Sequence, residues 1–99
     1  MQIDIQSRDI ELDKAIKTHI QRKLQIALSR MESHITEISI IISDVDGLNE
    51  GGDKRCLIKI SSSEFEDIII EDIQLDLFYV IDRAIHRASR SLELKIGQV

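Results

Sequence analysis

The sequence predicts an α+β two-layer sandwich, in which a four-stranded mixed sheet carries two helices on one face in the order β-α-β-β-β-α. Two long segments have apolar residues at spacings of three and four, which is typical of helices with one buried side. Four short segments alternate apolar and polar residues, which is typical of strands. Short connections between the last three strands favour an antiparallel meander, whereas a helix between the first two favours a right-handed, parallel crossover.

In the first half of the chain, the alternation from Gln2 to Arg8 predicts a strand. Asp13 is a suitable N-cap for a helix that we expect to extend to about Met31. The predicted buried side of this helix consists of Ile16, Ile20, Leu24, Ala27, Leu28 and Met31. After a turn, residues Glu37 to Val45 alternate again, and Ile41 makes both faces of this strand partly apolar, as expected of an inner strand.

In the second half, the segment from Asp46 to Asp53 contains three glycines and predicts a loop. We expect strands from Lys54 to Ser62 and from Glu66 to Ile73, joined by a turn. The last predicted element is a helix from Gln74 to Ile96. Its predicted buried side consists of Leu77, Ile81, Ala84, Ile85, Ala88 and Leu92. Since both helices have one apolar side, both can cover the same sheet face, and the other face should be bare and mainly polar.

The composition narrows the class of protein. The chain has 99 residues, no proline and a net charge of −5, and we expect one domain over residues 1–99. Aromatic residues make up only 3%, so the core should be aliphatic. The acidic N-terminal segment is unlike a signal peptide, no membrane span is expected, and a single cysteine forms no internal disulfide. We therefore expect a cytoplasmic protein with no membrane partner.

The segment from Asp44 to Glu50 resembles the start of a calcium-binding loop. The EF-hand pattern requires oxygen ligands at positions one, three and five, glycine at six and glutamate at twelve. Leu48, Asn49 and Arg55 occupy positions five, six and twelve. We therefore expect a mobile loop that binds no calcium.

The chain contains no recognisable catalytic or cofactor-binding pattern. Its three histidines and Cys56 lack the spacing of zinc ligands, and we expect Cys56 to be a small buried hydrophobe. Neighbouring acids such as Glu71 and Asp72 are expected to be solvated. There is no glycine-rich phosphate loop and no nucleophile elbow. We expect a protein without enzymatic activity, cofactor, metal or small-molecule substrate.

Positive charge is concentrated on the two predicted helices. The segment from Lys14 to Arg30 contains five Lys or Arg residues and no acid, and the segment from Arg83 to Lys95 contains four with Glu93 as the one acid. Such residues either keep an outer helix face soluble or bind phosphates, which guanidinium groups can contact in pairs. Because few aromatic residues are expected at the surface, contact with the backbone of structured RNA fits better than base stacking.

The chain resembles the ribosome hibernation-promoting factor family, which includes the ribosome-associated inhibitor A and the proteins called sigma-54 modulation proteins. The resemblance rests on the opening Met1 to Ile5, on the run from Asp76 to Asp82 followed by Arg87 and Arg90, and on Gly51 to Cys56. It extends over essentially the whole chain and implies the short, stand-alone form with a fold like that of double-stranded-RNA-binding domains.

The resemblance also implies a function and a set of binding residues. Members of the family bind the small ribosomal subunit and its ribosomal RNA, and silence translation in stationary phase, which is a stress response. The positions that match the family's RNA-binding residues are Lys23, Arg87 and Arg90. Positions that are neighbours of these are Arg22, Arg83 and Lys95. The alternative is a protein-interaction module of the same fold that uses the bare sheet face or an edge strand.

Overall fold

The computed structural model describes residues 1–45 and 53–98. The described residues form four strands, two α-helices and one 3₁₀ helix that follows the first α-helix. In chain order these are β1 (Gln2–Arg8), α1 (Lys14–Leu28), the 3₁₀ helix (Ser29–His34), β2 (Glu37–Asp44), β3 (Lys54–Ser61), β4 (Ile68–Gln74) and α2 (Leu77–Gly97). The predicted order β-α-β-β-β-α is confirmed.

Side-chain caps determine where the two helices begin. The Asp13 carboxylate accepts a hydrogen bond from the backbone N–H of Ile16 at 2.9 Å, as the sequence predicted. Asp76 accepts from the N–H of Tyr79 at 2.8 Å, so α2 begins at Leu77 and not at Gln74 as predicted. At its other end α1 stops earlier than expected, because the chain tightens into the 3₁₀ helix.

The strands lie in the order β1-β2-β3-β4. β1 and β2 are parallel, and the remaining neighbours are antiparallel, as predicted. The register places Ile5 beside Ile40, Ile40 beside Ile58 and Ile58 beside Ile70. This row of isoleucines crosses the whole sheet on the face that the helices cover, which explains how a core with so few aromatic residues is filled.

The helices bury the sides that the sequence predicted. Ile20 and Leu24 of α1 and Ile81 of α2 are fully buried, and Ile16 is partly buried against the same core. The other predicted residues of α2, Ile85 and Ala88, are also buried. Cys56 is fully buried, as expected, and burial, together with the nearby charge of Asp72, raises the pKa of its thiol to about 12.

The bare sheet face differs from the expected polar surface. Ile41, Leu57, Ile69 and Ile73 point to this side, and 64% of Ile69 and 41% of Ile73 are exposed. Exposed ion pairs flank them, between Arg55 and Glu71 and between Lys59 and Asp67. The face is therefore an aliphatic patch with balanced charges at its border.

Some predictions concern residues or groups that the structure tests only in part. Most of the predicted calcium-free loop, residues 46–52, lies outside the described residues, so that prediction stays a prediction. Within 1–45 and 53–98, no three His, Cys, Asp or Glu side chains form a group that could hold a metal ion. In the same ranges, neither helix combines the length and apolar composition needed to cross a membrane.

Candidate nucleic-acid interface

The two α-helices lie side by side on the sheet and are joined along their length by side-chain contacts. Those in the described part of the chain are His19 Nε2 to Asp82 Oδ1 at 2.8 Å and the Ser89 hydroxyl donating to the Ala27 carbonyl at 3.3 Å. An ion pair between Arg30 of the 3₁₀ helix and Glu93 of α2 continues the series. The partners are 63, 62 and 63 residues apart. Because the sequence separation is nearly the same in all three contacts, the helices run parallel in a fixed register.

An open groove of about 400 Å³ lies between the helices. Ala27, Ile85 and Ser89 are among its lining residues and are at least partly buried. Its charged residues and its histidine are Lys23 from α1, Arg30 from the 3₁₀ helix, and Asp82, His86, Arg90 and Glu93 from α2. We call this feature the interhelix groove.

The positive charges of the interhelix groove are only partly neutralised. Glu93 is paired with Arg30, and Asp82 is hydrogen-bonded to His19. Lys23 and Arg90 are exposed and have no acidic partner among the residues that the structure describes. The offset of 63 residues also places His86 opposite Lys23. The groove therefore presents two uncompensated cations and an imidazole to an anionic ligand.

Two neighbouring arginines of α2 are held differently from Arg90. Arg83 Nε lies 2.8 Å from Asp72 Oδ2, and Arg87 Nη1 lies 3.8 Å from the same oxygen. Arg87 also donates a hydrogen bond to the backbone carbonyl of Glu71 at 2.8 Å. We call this arrangement, in which two arginines are paired with Asp72, the last buried residue of β4, the β4 flank.

Asp72 at the centre of the β4 flank corrects a prediction. Only 8% of this residue is exposed, so the expectation of a solvated acid is wrong. The alternation of β4 places Asp72 on the same side as Ile68 and Ile70, which is the side that α2 covers. Its Oδ1 accepts from the N–H of Ile73 at 2.9 Å and from Gln74 Nε2 at 3.2 Å. The 2.8 Å contact of Oδ2 with Arg83 is an ion pair without hydrogen-bond alignment.

The six predicted RNA-binding residues fall into different local environments, although Arg83, Arg87 and Arg90 are neighbours on the surface of α2. Lys23 and Arg90 share the interhelix groove, whereas Arg83 and Arg87 belong to the β4 flank. Arg22 lies on the other side of α1, where it lines a separate depression with Ile3 of β1. Lys95 lies in the last turn of α2, where a cation interacts favourably with the helix dipole.

Sequence reasoning missed two members of the groove, Arg30 and His86. Arg30 follows Lys23 by seven residues, which is two turns of the helix predicted to extend to about Met31, although the structure places Arg30 in the 3₁₀ helix. His86 precedes Arg90 by one turn. The spacing within each helix was available in the sequence, but the side of each helix that faces its neighbour was not.

Two exposed aromatic residues contradict the expectation that few would reach the surface. Phe78 is 46% exposed and Tyr79 is 52% exposed. Five apolar residues follow one another from Leu77 to Ile81, and a helix in contact with the core on one side cannot bury them all. The Phe78 ring packs edge-on against His19, with centroids 5.0 Å apart and planes at 80°. This contact lies at the end of the groove where α2 begins.

Two proteins of known structure have a fold similar to that of this chain. The N-terminal domain of Protein Y from Thermus thermophilus aligns with a TM-score of 0.78 and 22% identity, over 95% of this chain and 98% of that one. A ribosomal subunit interface protein from Coxiella burnetii aligns with a TM-score of 0.79 and 17% identity, over 98% and 99%. At these identities the likeness shows the shared fold.

The sequence itself matches a family. No curated protein sequence matches this chain significantly. The sequence profile described as "Sigma 54 modulation protein / S30EA ribosomal protein" matches residues 3–95, which confirms the resemblance seen in the sequence. Because the match extends over nearly the entire length, the chain belongs to the sigma 54 modulation protein / S30EA ribosomal protein family.

Proposed function

We propose that this protein is a ribosome-associated factor that silences translation by binding the RNA of the small ribosomal subunit through the interhelix groove. Membership of the family supports association with ribosomes. The observation that carries the choice of surface is that Lys23 and Arg90 line one groove without acidic partners in the described part of the chain. The protein acts by occupying its site in the cytoplasm, without catalysis.

Phosphate contact explains how an acidic protein can bind RNA. The guanidinium group of Arg90 can donate two hydrogen bonds to one phosphate, and Lys23 contributes a second positive charge. Such contacts fix position and orientation with little dependence on base identity. Since the chain as a whole carries −5, repulsion of its acidic surfaces from RNA favours the one orientation that presents the groove.

The proposal is tested by reversing both uncompensated charges in the variant Lys23→Glu/Arg90→Glu. We expect co-sedimentation with purified small subunits to weaken strongly. The dependence of affinity on salt should become shallower by roughly two units of logarithmic slope, because two phosphate contacts are lost. Both side chains are exposed, so circular dichroism should show an unchanged fold.

A matched control carries the same change of charge on the bare sheet face, in the variant Arg8→Glu/Lys59→Glu. The register of β1 with β2 and of β2 with β3 places both residues on the side away from the helices. This control should sediment as the wild type does. If both variants weakened co-sedimentation equally, the cause would be general charge repulsion, and the interhelix groove would not be the RNA-binding surface.

The bare sheet face supports a second candidate function, a protein-interaction module. Its aliphatic patch around Ile69 and Ile73 is the kind of surface that protein partners cover. Binding there would depend weakly on salt. If an Ile69→Asp/Ile73→Asp variant stops sedimenting with small subunits while the groove variant still sediments, the sheet face is the interface and a ribosomal protein is the better partner.

A further inference from the structure

The interhelix groove ends in an aromatic surface that the charged residues do not explain. Phe78 and Tyr79 lie in the first turn of α2, and about half of each side chain is exposed, 46% and 52% respectively. The chain has only three aromatic residues of the Phe, Trp and Tyr types. Two of the three are therefore placed at the surface, at the same end of the same helix.

A neighbouring side chain holds the Phe78 ring in place. The Phe78 ring packs against His19, and His19 is fixed in turn by its 2.8 Å contact with Asp82. Arg83 follows Tyr79 by one helical turn, and a hydrogen bond with the Tyr79 hydroxyl, together with the charge of Asp72, raises the pKa of Arg83. A ring that is ordered before binding, as Phe78 is, loses little conformational freedom when a flat ligand stacks on it.

The rings are also close to the uncompensated cations. His19 touches Phe78 and precedes Lys23 by four residues, or about 6 Å along the axis of α1. On α2, Asp82 and Arg90 line the groove, and Phe78 precedes Asp82 by four residues, or about one helical turn. A chain that placed a planar group on Phe78 would bring its next anionic groups over Lys23 and then Arg90. A planar group joined to a run of phosphates is a nucleotide within an RNA strand.

We propose that Phe78 and Tyr79 form a stacking site for an unpaired base, and that Lys23 and Arg90 bind the phosphates that follow it. This inference rests on the proposed function and narrows its ligand to structured RNA with at least one base outside the duplex. Stacking on aromatic side chains tolerates any base, because each base has a flat π-face. The site therefore selects the shape of the RNA and not its sequence.

Measurements of affinity for small subunits distinguish the contribution of stacking from that of charge. Phe78→Ala and Tyr79→Ala should each lower the affinity about tenfold, within the range reported for loss of one stacked base. The salt dependence should keep its slope, since no charge is removed. Leu94→Ala is the control, because Leu94 is a 67% exposed apolar residue of α2 far from the aromatic end. It should bind as the wild type does. Phe78→Leu keeps an apolar side chain against His19 but has no ring, so it should lose affinity while the fold stays intact.

The fluorescence of Tyr79 gives a direct readout, because the chain has one tyrosine and no tryptophan. The probes are a fully paired RNA duplex and the same duplex with one bulged nucleotide. The bulged RNA should quench the tyrosine emission and bind more tightly, and Phe78→Ala should reduce its affinity to that of the paired duplex. Equal binding of both RNAs, or binding of neither, overturns the stacking site.

The two proposals fail in different ways. If wild-type protein does not sediment with small subunits, the proposed function is wrong. If it sediments, and Lys23→Glu/Arg90→Glu weakens sedimentation while Phe78→Ala and Phe78→Leu do not, the groove binds phosphates and the stacking site alone is wrong.

Discussion

Three arginines of α2 follow one repeating pattern on the outer face of the helix, yet their partners differ. On the β4 flank, Arg83 and Arg87 are paired with the buried carboxylate of Asp72. On the side of the interhelix groove, Arg90 shares an open surface with Lys23 and has no acidic partner in the described ranges. The difference shows that a basic helix face is not one binding surface, because an acid on a neighbouring strand can occupy part of it.

The comparison separates two kinds of contribution. Arginines paired with a buried acid stabilise the fold, since they compensate a charge that would otherwise be costly to bury. Cations without partners contribute little to stability and remain available to an anionic ligand. The β4 flank should therefore respond to mutation mainly in the free energy of unfolding, and the interhelix groove mainly in affinity for RNA.

The largest effect on stability is expected at Ile81 of α2, which is fully buried. Ile81→Ala should lower the free energy of unfolding by ~2–5 kcal/mol, because it leaves a cavity where α2 contacts the sheet. Leu94→Ala, at a 67% exposed position of the same helix, should change it by about half a kcal/mol or less. Denaturation with urea measures both. Equal costs would mean that α2 does not pack as described.

The β4 flank is tested by Asp72→Asn. We expect the free energy of unfolding to fall by ~1–3 kcal/mol, because both arginines lose their ionised partner while the side chain keeps its shape. Affinity for small subunits should not fall, since Lys23 and Arg90 are untouched. Glu71→Gln is the control, because Glu71 is exposed and its ion pair with Arg55 should contribute ~0–1 kcal/mol. If Asp72→Asn lowers the free energy of unfolding no more than Glu71→Gln does, the Asp72 ion pairs do not stabilise the fold.

The matched pair Arg90→Gln and Arg87→Gln sharpens the comparison further, since each variant removes one charge from the same helix. Arg90→Gln should lower affinity for small subunits about tenfold and reduce the salt slope by roughly one unit. Arg87→Gln should leave the slope unchanged and affect mainly the urea midpoint, because Arg87 is held by Asp72 and the Glu71 carbonyl. The reverse result would mean that the β4 flank binds RNA and that the interhelix groove stabilises the fold.

The smallest effect concerns Cys56, which lies beneath the β4 flank. Burial raises its pKa from 9.0 to about 12, so the folded protein keeps the neutral thiol while the unfolded chain ionises above pH 9. The thiol contributes stability below pH 9, and this stability is lost as the pH rises towards 12. Between pH 8 and pH 10 the wild type should lose about 1 kcal/mol more than Cys56→Ala. Identical pH profiles of the two proteins in urea denaturation would contradict this.

Much of the fold follows from local rules that the sequence displays. Asp13 caps α1 because its carboxylate reaches the N–H of Ile16, a geometry set by three residues of chain. Alternation along β2 and β3 fixes which isoleucines face the helices. Errors arose where local signals competed: Gln74 had a helical spacing, but Asp76 three residues before Tyr79 is a better cap.

The candidate site was less predictable, because it depends on which neighbour each side chain meets. Asp72 follows Glu71 in a pair of acids that was expected to be solvated. It is buried because α2 covers that side of β4. Few aromatic residues were expected at the surface, and only the position of the helix relative to the sheet leaves Phe78 and Tyr79 exposed. In each case the residue type was known and its environment was not.

The sequence by itself determined the element order, the aliphatic core, the burial of Cys56 and the concentration of positive charge on two helices, because periodicity and capping act over a few residues. The tertiary structure alone decided that Arg83 and Arg87 pair with Asp72, that Lys23 and Arg90 share a groove, and that this groove ends at exposed rings. The physical reason is that ion pairing and exposure depend on distances between residues far apart in the chain. Here those distances are set by a parallel helix pair with a constant offset of 62 to 63 residues.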